Sequence, residues 1–219
     1  MNMKLMKKVL ATTLAATLLV APAITAGATT DSSSAPAPAA TAPASTNSGG
    51  SQSTPEPAVV ERVGTVTVAG TVIKSDVAGA YWVKTLAGVA VRQSSATIKT
   101  AAGLANNETP YVRAYDITRA KSPAAFASFD AAAAAVGGTV IGAVNIDLGK
   151  LAGRNFSSLD AGIKVPTTIG VANANGRTLA VVKVVPGGAT EILQDQDDNA
   201  NTVTFDIQGG LAAYAVIAY

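Results

Sequence analysis

The side chains with the clearest capacity for chemistry lie at residues 195–201, which read DQDDNAN. Carboxylate and amide oxygens are the ligands that Ca²⁺ prefers, and a twelve-residue calcium loop needs them at positions 1, 3 and 5. Asp195, Asp197 and Asn199 fall on those positions, and Asp206 falls on position 12. However, Ala200 stands where the loop needs glycine, and Asp206 belongs to an alternating strand pattern, TVTFDIQ. A helix–loop–helix calcium site is therefore excluded.

A looser calcium site at Asp195, Asp197 and Asn199 is left open by this argument. Three carboxylates, an amide and turn carbonyls within seven residues carry enough oxygens for a hard cation. The competing interpretation is a turn, because Asp and Asn bond their own backbone and tolerate left-handed conformations. The sequence favours the turn, and calcium is the one cofactor for which it offers ligands.

The chain has few side chains suited to catalysis, because it contains no histidine and no cysteine. This composition excludes Ser-His-Asp and Cys-His hydrolases and argues against zinc peptidases and haem proteins. A Ser-Lys pair is not indicated either, since SSATIK lacks the Ser-x-x-Lys spacing. Two carboxylates could serve a glycosidase, and the candidates expected to face away from the core are Asp76, Glu108, Asp116 and Asp147. No spacing singles out a pair, so we expect a protein that is not an enzyme.

A carbohydrate-binding face would need exposed aromatic rings on a sheet. Aromatic residues make up 5% of the chain, and its single tryptophan, Trp82, follows Tyr81. Adjacent residues of a strand point to opposite faces, so at most one of the two meets solvent if the other is buried. From this pattern we expect Trp82 to be buried.

The elements that carry these residues divide into two parts. In residues 59–138, short alternating runs indicate strands, Ser94 or Ser95 could cap a short helix, and YVRAYDIT at 111–118 indicates a strand. The clearest helix is SPAAFASFDAAAAAVGG, with Ser122 as N-cap, Pro123 in the first turn and Gly137 at its end. Its apolar stripe comprises Phe126, Phe129, Ala133 and Val136.

Residues 139–219 read almost wholly as strands. Turns are predicted at Asn175-Gly176, at Pro186-Gly187-Gly188, at the acidic stretch and at Gly209-Gly210. The last strand is apolar on both faces and should be central. The sequence therefore predicts an α+β, mostly β fold, in which the C-terminal half is an antiparallel sheet of a sandwich. The N-terminal half would be an α/β layer with one or two helices.

The N-terminal 58 residues read as two segments that do not join the fold. Lys4, Lys7 and Lys8, an apolar run from Val9 and AGA at 26–28 indicate a signal peptide over residues 1–28. Residues 29–58, rich in Ser, Thr, Ala and Pro, lack large apolar side chains, which predicts a disordered linker. We expect residues 59–219 to form a single globular domain.

The charge balance limits the classes of partner. Removing the three signal lysines from 16 basic residues leaves 13 against 14 acidic ones, a net charge near −1. Such a chain has no electrostatic attraction to nucleic acid or to anionic lipid. We therefore expect no nucleic-acid partner and no membrane association after signal cleavage.

The closing pattern of an acidic turn, NTVTFDIQGG and AAYAVIAY resembles the closing hairpin of β-modules of unknown function in secreted and cell-surface proteins of anaerobic Gram-positive bacteria. The resemblance covers roughly the last 80 residues and implies a location and an architecture, without an activity. We expect a secreted or envelope-associated protein with a structural or interaction role and an envelope glycan or protein as partner. The alternative is a secreted carboxylate-dependent glycan hydrolase. The oligomeric state is not indicated.

Overall fold

The computed structural model describes residues 61–219, so the predicted signal peptide (1–28) and linker (29–58) lie outside the described residues. Most of the described part is β-structure. Its strands are β1 (Glu61–Val68), β2 (Thr71–Trp82), β3 (Val89–Val91), β4 (Glu108–Asp116), β5 (Thr139–Ala152), β6 (Asn155–Ser158), β7 (Lys164–Gly170), β8 (Leu179–Val184), β9 (Thr190–Gln194), β10 (Thr202–Gln208) and β11 (Gly210–Ala218). The helices are α1 (Ser95–Ala101) and α2 (Pro123–Ala135). Neither helix has the length and apolarity needed to cross a bilayer.

The strands form two sheets. The large sheet has the order β1-β2-β4-β5-β11-β8-β9, with β6 added beside β5, and the small sheet has the order β10-β7-β3. Neighbouring strands are antiparallel except for β2 and β4, which are parallel. The α+β, mostly β class and the sandwich are confirmed, and both helices lie in the N-terminal half. Strands from both halves of the chain contribute to both sheets.

The main core lies between the two sheets. One cluster of buried side chains joins Ile146 and Tyr214 of the large sheet to Phe205 of the small sheet and Ile98 of α1. The rings of Phe205 and Tyr214 have centroids 5.3 Å apart. Burial of each such side chain contributes about 1.5–3 kcal/mol. As predicted, β10 alternates, with Val203, Phe205 and Ile207 inward, and β11 is central.

The helix α2 packs on the other face of the large sheet. Phe126, Phe129 and Ala133 form a second core cluster with alanine and valine side chains of β8 and β11. Ser122 is the N-cap residue but makes no side-chain cap bond. Val136, predicted as part of the buried stripe, is 39% exposed. The reason is that the helix ends at Ala135, and Gly137 (φ 70°) then turns the chain away. The other helix begins as predicted, with Ser94 accepting a bond from the Thr97 N–H.

The hairpin predicted at Asn175-Gly176 is wrong. Both residues have the predicted positive φ, 54° and 69°, but the strands on either side belong to different sheets. The dihedral angles of these two residues fix only the local bend of the chain. The whole connection from the end of β7 to β8 is eight residues long. That length suffices to cross the roughly 10 Å between packed sheets. The acidic stretch and Gly209-Gly210 also connect different sheets, and of the four predicted turns Pro186-Gly187-Gly188 closes a true hairpin.

The helix α2 leaves part of the outer face of the large sheet open. Its main contacts are with β8, β5, β11 and β9. Along β11, Ala215 is buried under the helix, whereas Leu211, which points to the same face four residues earlier, is 39% exposed. The outward side of β2, β4 and the adjoining half of β5 is therefore the part of the sheet that this helix does not cover.

Candidate functional site

The acidic stretch folds as a turn held by its own side chains. The Asp195 carboxylate accepts bonds from the N–H groups of Asp197 (3.1 Å) and Thr204 (2.9 Å). In turn, the Asn199 side chain accepts one from the Asn201 N–H at 3.0 Å. These bonds tie the turn to the start of β10. Burial raises the pKa of the Asp195 carboxyl, and the two backbone bonds only partly oppose that shift.

Asp197 is the centre of this turn. Its carboxylate accepts bonds from the Asn199 N–H (2.8 Å), from the Thr202 hydroxyl (3.0 Å) and from the Thr204 hydroxyl (2.6 Å). Within residues 61–219 no three acidic side chains are grouped to hold a metal ion. The arrangement fits the turn interpretation, because bonds within the loop and to the start of β10 engage Asp195, Asp197 and Asn199 without an ion. Calcium at Asp195, Asp197 and Asn199 stays a prediction.

Three of the four candidate carboxylates, those of Asp116, Glu108 and Asp147, are engaged in structural bonds. Asp116 accepts bonds from the N–H groups of Lys84 (2.6 Å) and Thr85 (3.2 Å). Glu108 pairs with Lys150 at 2.7 Å, and this bond, with a further one from Ala105, lowers the pKa of the carboxyl. Asp76 is exposed.

The prediction that the candidate carboxylates face away from the core is wrong for Glu108 and Asp116, which lie on the side of β4 that carries the buried Val112 and Ala114. Asp147 does face away from the core. It points to the outer face of the large sheet, yet the residue is only 4% exposed. The reason is that two side chains cover it: Arg113 pairs with it at 3.2 Å, and the Ser158 hydroxyl donates to it at 2.9 Å.

The prediction that Trp82 is buried is wrong. Trp82 is 45% exposed and Tyr81 is 4% exposed, so one member of the pair meets solvent but it is the larger ring. Two glycines make the space for Tyr81, because a Cβ at Gly64 or Gly79 would lie within 2.6 Å of its ring. The Tyr81 hydroxyl then donates to the Val77 carbonyl at 2.9 Å. Burial raises the pKa of Tyr81 to about 12.

Trp82 lies beside a second exposed ring. It is in register with Tyr115 on the parallel neighbour β4, and Tyr115 is 36% exposed. Neighbouring strands are about 4.8 Å apart, and residues in register share a face. Asn145 of β5 follows Tyr115 in the same row. The outer face thus presents a row of two aromatic side chains and an amide.

The next row is centred on a fixed guanidinium group. Arg113 lies between Ala80 of β2 and Asp147 of β5. Besides its bond to Asp147, its guanidinium carbon lies 4.1 Å from the centroid of the Phe156 ring. This ring also makes an edge contact with Tyr111, with centroids 6.2 Å apart. We call the surface formed by Trp82, Tyr111, Arg113, Tyr115 and Phe156 the aromatic face.

The aromatic face is a surface and not a cleft. A small cavity of about 130 Å³ lies at its edge, lined by residues that include Glu61, Thr65, Trp82 and Lys84. Pockets that enclose a small molecule typically have volumes of about 300–1,000 Å³. The geometry suits contact with an extended partner better than enclosure of a small substrate.

The amino-acid sequence predicts part of this surface. The strand pattern correctly placed Tyr111, Arg113, Tyr115 and Ile117 on one face, and Ile117, just beyond the end of β4, is buried there in the cluster of α2. It missed Phe156 and the pairing of Arg113 with Asp147. Nothing in the local pattern signals that pair, because its members are 34 residues apart and meet through strand register.

Comparison of the chain with family models, curated proteins and solved structures finds no match. The resemblance of the last 80 residues to β-modules of Gram-positive surface proteins stays a prediction.

Proposed function

We infer that this chain is an exported, non-catalytic protein with an interaction role at the cell envelope or in the extracellular space, and that the aromatic face is its contact surface. The observation that carries the inference is the row formed by Trp82 and Tyr115, two large rings exposed side by side. Exposed apolar groups that cluster on one surface are typical of binding sites. Tryptophan and tyrosine are also the residues that most often dominate binding energy.

Export is supported by the sequence of the first 58 residues. The basic head, the apolar run and AGA at 26–28 fit a signal peptide, and the polar segment behind them fits a tether. The near-neutral charge of the remaining chain favours a partner other than nucleic acid or anionic lipid.

The alternative, a carboxylate-dependent glycan hydrolase, has weaker support. Such enzymes need two carboxyl groups about 5–10 Å apart on either side of a bond. Glu108 and Asp116 point to the same face of β4 but are eight residues apart, roughly 26 Å along a strand. Asp147 points to the opposite face, where Arg113 and Ser158 occupy its carboxylate.

Co-sedimentation of the purified full-length chain with isolated Gram-positive cell walls tests this proposal. We expect retention of the wild type and a loss of roughly tenfold or more in affinity for Trp82→Ala or Tyr115→Ala, as for aromatic hot spots. Tyr219→Ala is the matched control, because Tyr219 is 39% exposed and lies away from the aromatic face. Leu211, near that face, is at the start of β11, whereas Tyr219 follows the end of β11. Equal retention of all four proteins would remove the aromatic face from the account.

A further inference from the structure

The aromatic face has the chemistry to recognise one class of partner. We propose that it binds a neutral carbohydrate chain, an inference that rests on the proposed function. Rings and a hydrogen-bonding group alternate on this surface: Trp82 and Tyr115 lie in one row, and Arg113, held by the buried Asp147, lies in the next. A sugar ring offers C–H groups that pack on aromatic rings and hydroxyls that need directional donors and acceptors at its edge.

The spacing of the rings requires an extended occupant. Tyr111 and Tyr115 are four residues apart on β4, a distance of roughly 13 Å between Cα atoms. Phe156 lies beside Tyr111 at one end, where both rings are half-buried, and Trp82 lies beside Tyr115 at the other, where both are exposed. A single sugar ring cannot contact both groups, whereas an oligosaccharide of several units can.

The central guanidinium is held ready for hydrogen bonding. Arg113 is fixed by Asp147 on one side and by the Phe156 ring on the other, yet 48% of its side chain is exposed. Of its five N–H donors, several remain free for a ligand. Because the side chain is already ordered, binding loses less conformational entropy than it would with a mobile arginine.

The charge on this surface favours a neutral ligand. The positive charge of Arg113 is compensated by the carboxylate of Asp147, which lies at 3.2 Å and is almost completely buried. A polyanion would therefore gain little attraction here, and a polycation would find no free carboxylate at Asp147. Neutral hydroxyl groups avoid both problems, since they donate and accept without a charge to desolvate.

The sheet geometry argues against a peptide in this position. Peptides that bind to sheets usually add a strand at an edge, where backbone groups are unpaired. Most of the aromatic face lies over β2, β4 and β5, each of which has a paired strand on both sides, while Phe156 lies on β6, which pairs with β5 alone. A peptide lying across β2, β4 and β5 would find no backbone partners there, whereas a carbohydrate needs only the side chains.

Affinity electrophoresis of the full-length chain tests the inference. The gels would contain hydroxyethylcellulose, xylan, laminarin or galactomannan, with polygalacturonate and heparin as anionic comparators. We expect retardation by at least one neutral polysaccharide. The affinity obtained from it should fall roughly tenfold or more in Trp82→Ala and stay unchanged in Tyr219→Ala. Arg113→Lys should reduce it as well, because lysine keeps the charge but loses the planar donor set. Retardation by none of the neutral polysaccharides, or only by the anionic ones, overturns the proposal.

Treated cell walls separate this inference from the proposed function. Walls oxidised with periodate lose their vicinal diols, and walls treated with protease lose their proteins. Wild-type retention that periodate abolishes and protease leaves intact supports a carbohydrate ligand. Retention that survives periodate, is abolished by protease and still depends on Trp82 overturns the carbohydrate inference and leaves the proposed function intact. A dimer that Trp82→Ala dissociates would assign the face to a second copy and likewise overturn the inference.

Discussion

At the scale of single residues, the pair Tyr81 and Trp82 shows what a local sequence pattern can predict and what it cannot. Alternation along a strand correctly predicts that the two rings point to opposite faces. It does not predict which one is buried, because the deciding space is made by Gly64 of β1 and Gly79 of β2. Gly64 comes from a neighbouring strand, and tyrosine fits the resulting slot because its hydroxyl reaches the Val77 carbonyl.

Two neighbouring substitutions should therefore differ sharply in their effect on stability. Tyr81→Ala empties a buried slot and should lower the unfolding free energy by about 3–5 kcal/mol. Trp82→Ala removes an exposed ring and should change it by about 0.5 kcal/mol or less. Urea unfolding followed by circular dichroism measures both. Comparable losses would mean that Trp82 belongs to the core and not to a free surface.

Buried tyrosines also predict a loss of stability at high pH. Burial raises the pKa of both Tyr81 and Tyr214 from 10.0 to about 12. Since the folded-state value exceeds the unfolded one, their contribution is complete below pH 10 and is lost as the pH rises towards 12. Each group contributes at most about 3 kcal/mol to this loss. Tyr81→Phe should reduce the loss of unfolding free energy over this range, and Tyr219→Phe should not. A pH dependence that Tyr81→Phe leaves unchanged would place its cause elsewhere.

At the scale of elements, the sequence predicts what a segment forms better than what it pairs with. Alternation identified β10 as a half-buried strand and apolar content identified β11 as central. The choice of sheet was not predictable, because alternation fixes which side of a strand is apolar and says nothing about which strand lies beside it. The connection at Asn175-Gly176 has the backbone of a hairpin turn and yet crosses between the sheets.

The acidic turn makes a prediction at this scale. Asp197→Ala removes an acceptor from the Asn199 N–H and from the hydroxyls of Thr202 and Thr204. We expect it to lower the unfolding free energy by about 1–3 kcal/mol, whereas Asp198→Ala, at an exposed neighbour, should change it by about 0.5 kcal/mol or less.

Thermal melts in calcium and then in chelator complete that test. The turn interpretation predicts that calcium does not change the melting midpoint of any of the three proteins, so that the wild type and each variant melt at their own midpoints in both solutions. A midpoint that rises by several degrees in calcium, and does so only while Asp197 is present, would instead support the calcium prediction.

At the scale of the whole molecule, the proposed function depends on the part of the large sheet that α2 does not cover. The helix buries the outer face of the large sheet over β8 and β11 and leaves the side over β2 and β4 open. The strand pattern predicted three members of the aromatic face. The rest depends on register between distant segments, which brings Asp147 beside Arg113 and Tyr115 beside Trp82.

The fluorescence of the single tryptophan offers the most direct test of the central claim. Trp82 is the only tryptophan in the chain and lies on the aromatic face, so its emission reports on that surface alone. Titrating the full-length chain with solubilised Gram-positive cell-wall fragments should shift the emission to shorter wavelength and protect it from acrylamide quenching. The response should saturate and should weaken in Tyr115→Ala. Binding of the fragments with no change in emission or quenching of Trp82 would contradict the claim that the aromatic face is the contact surface.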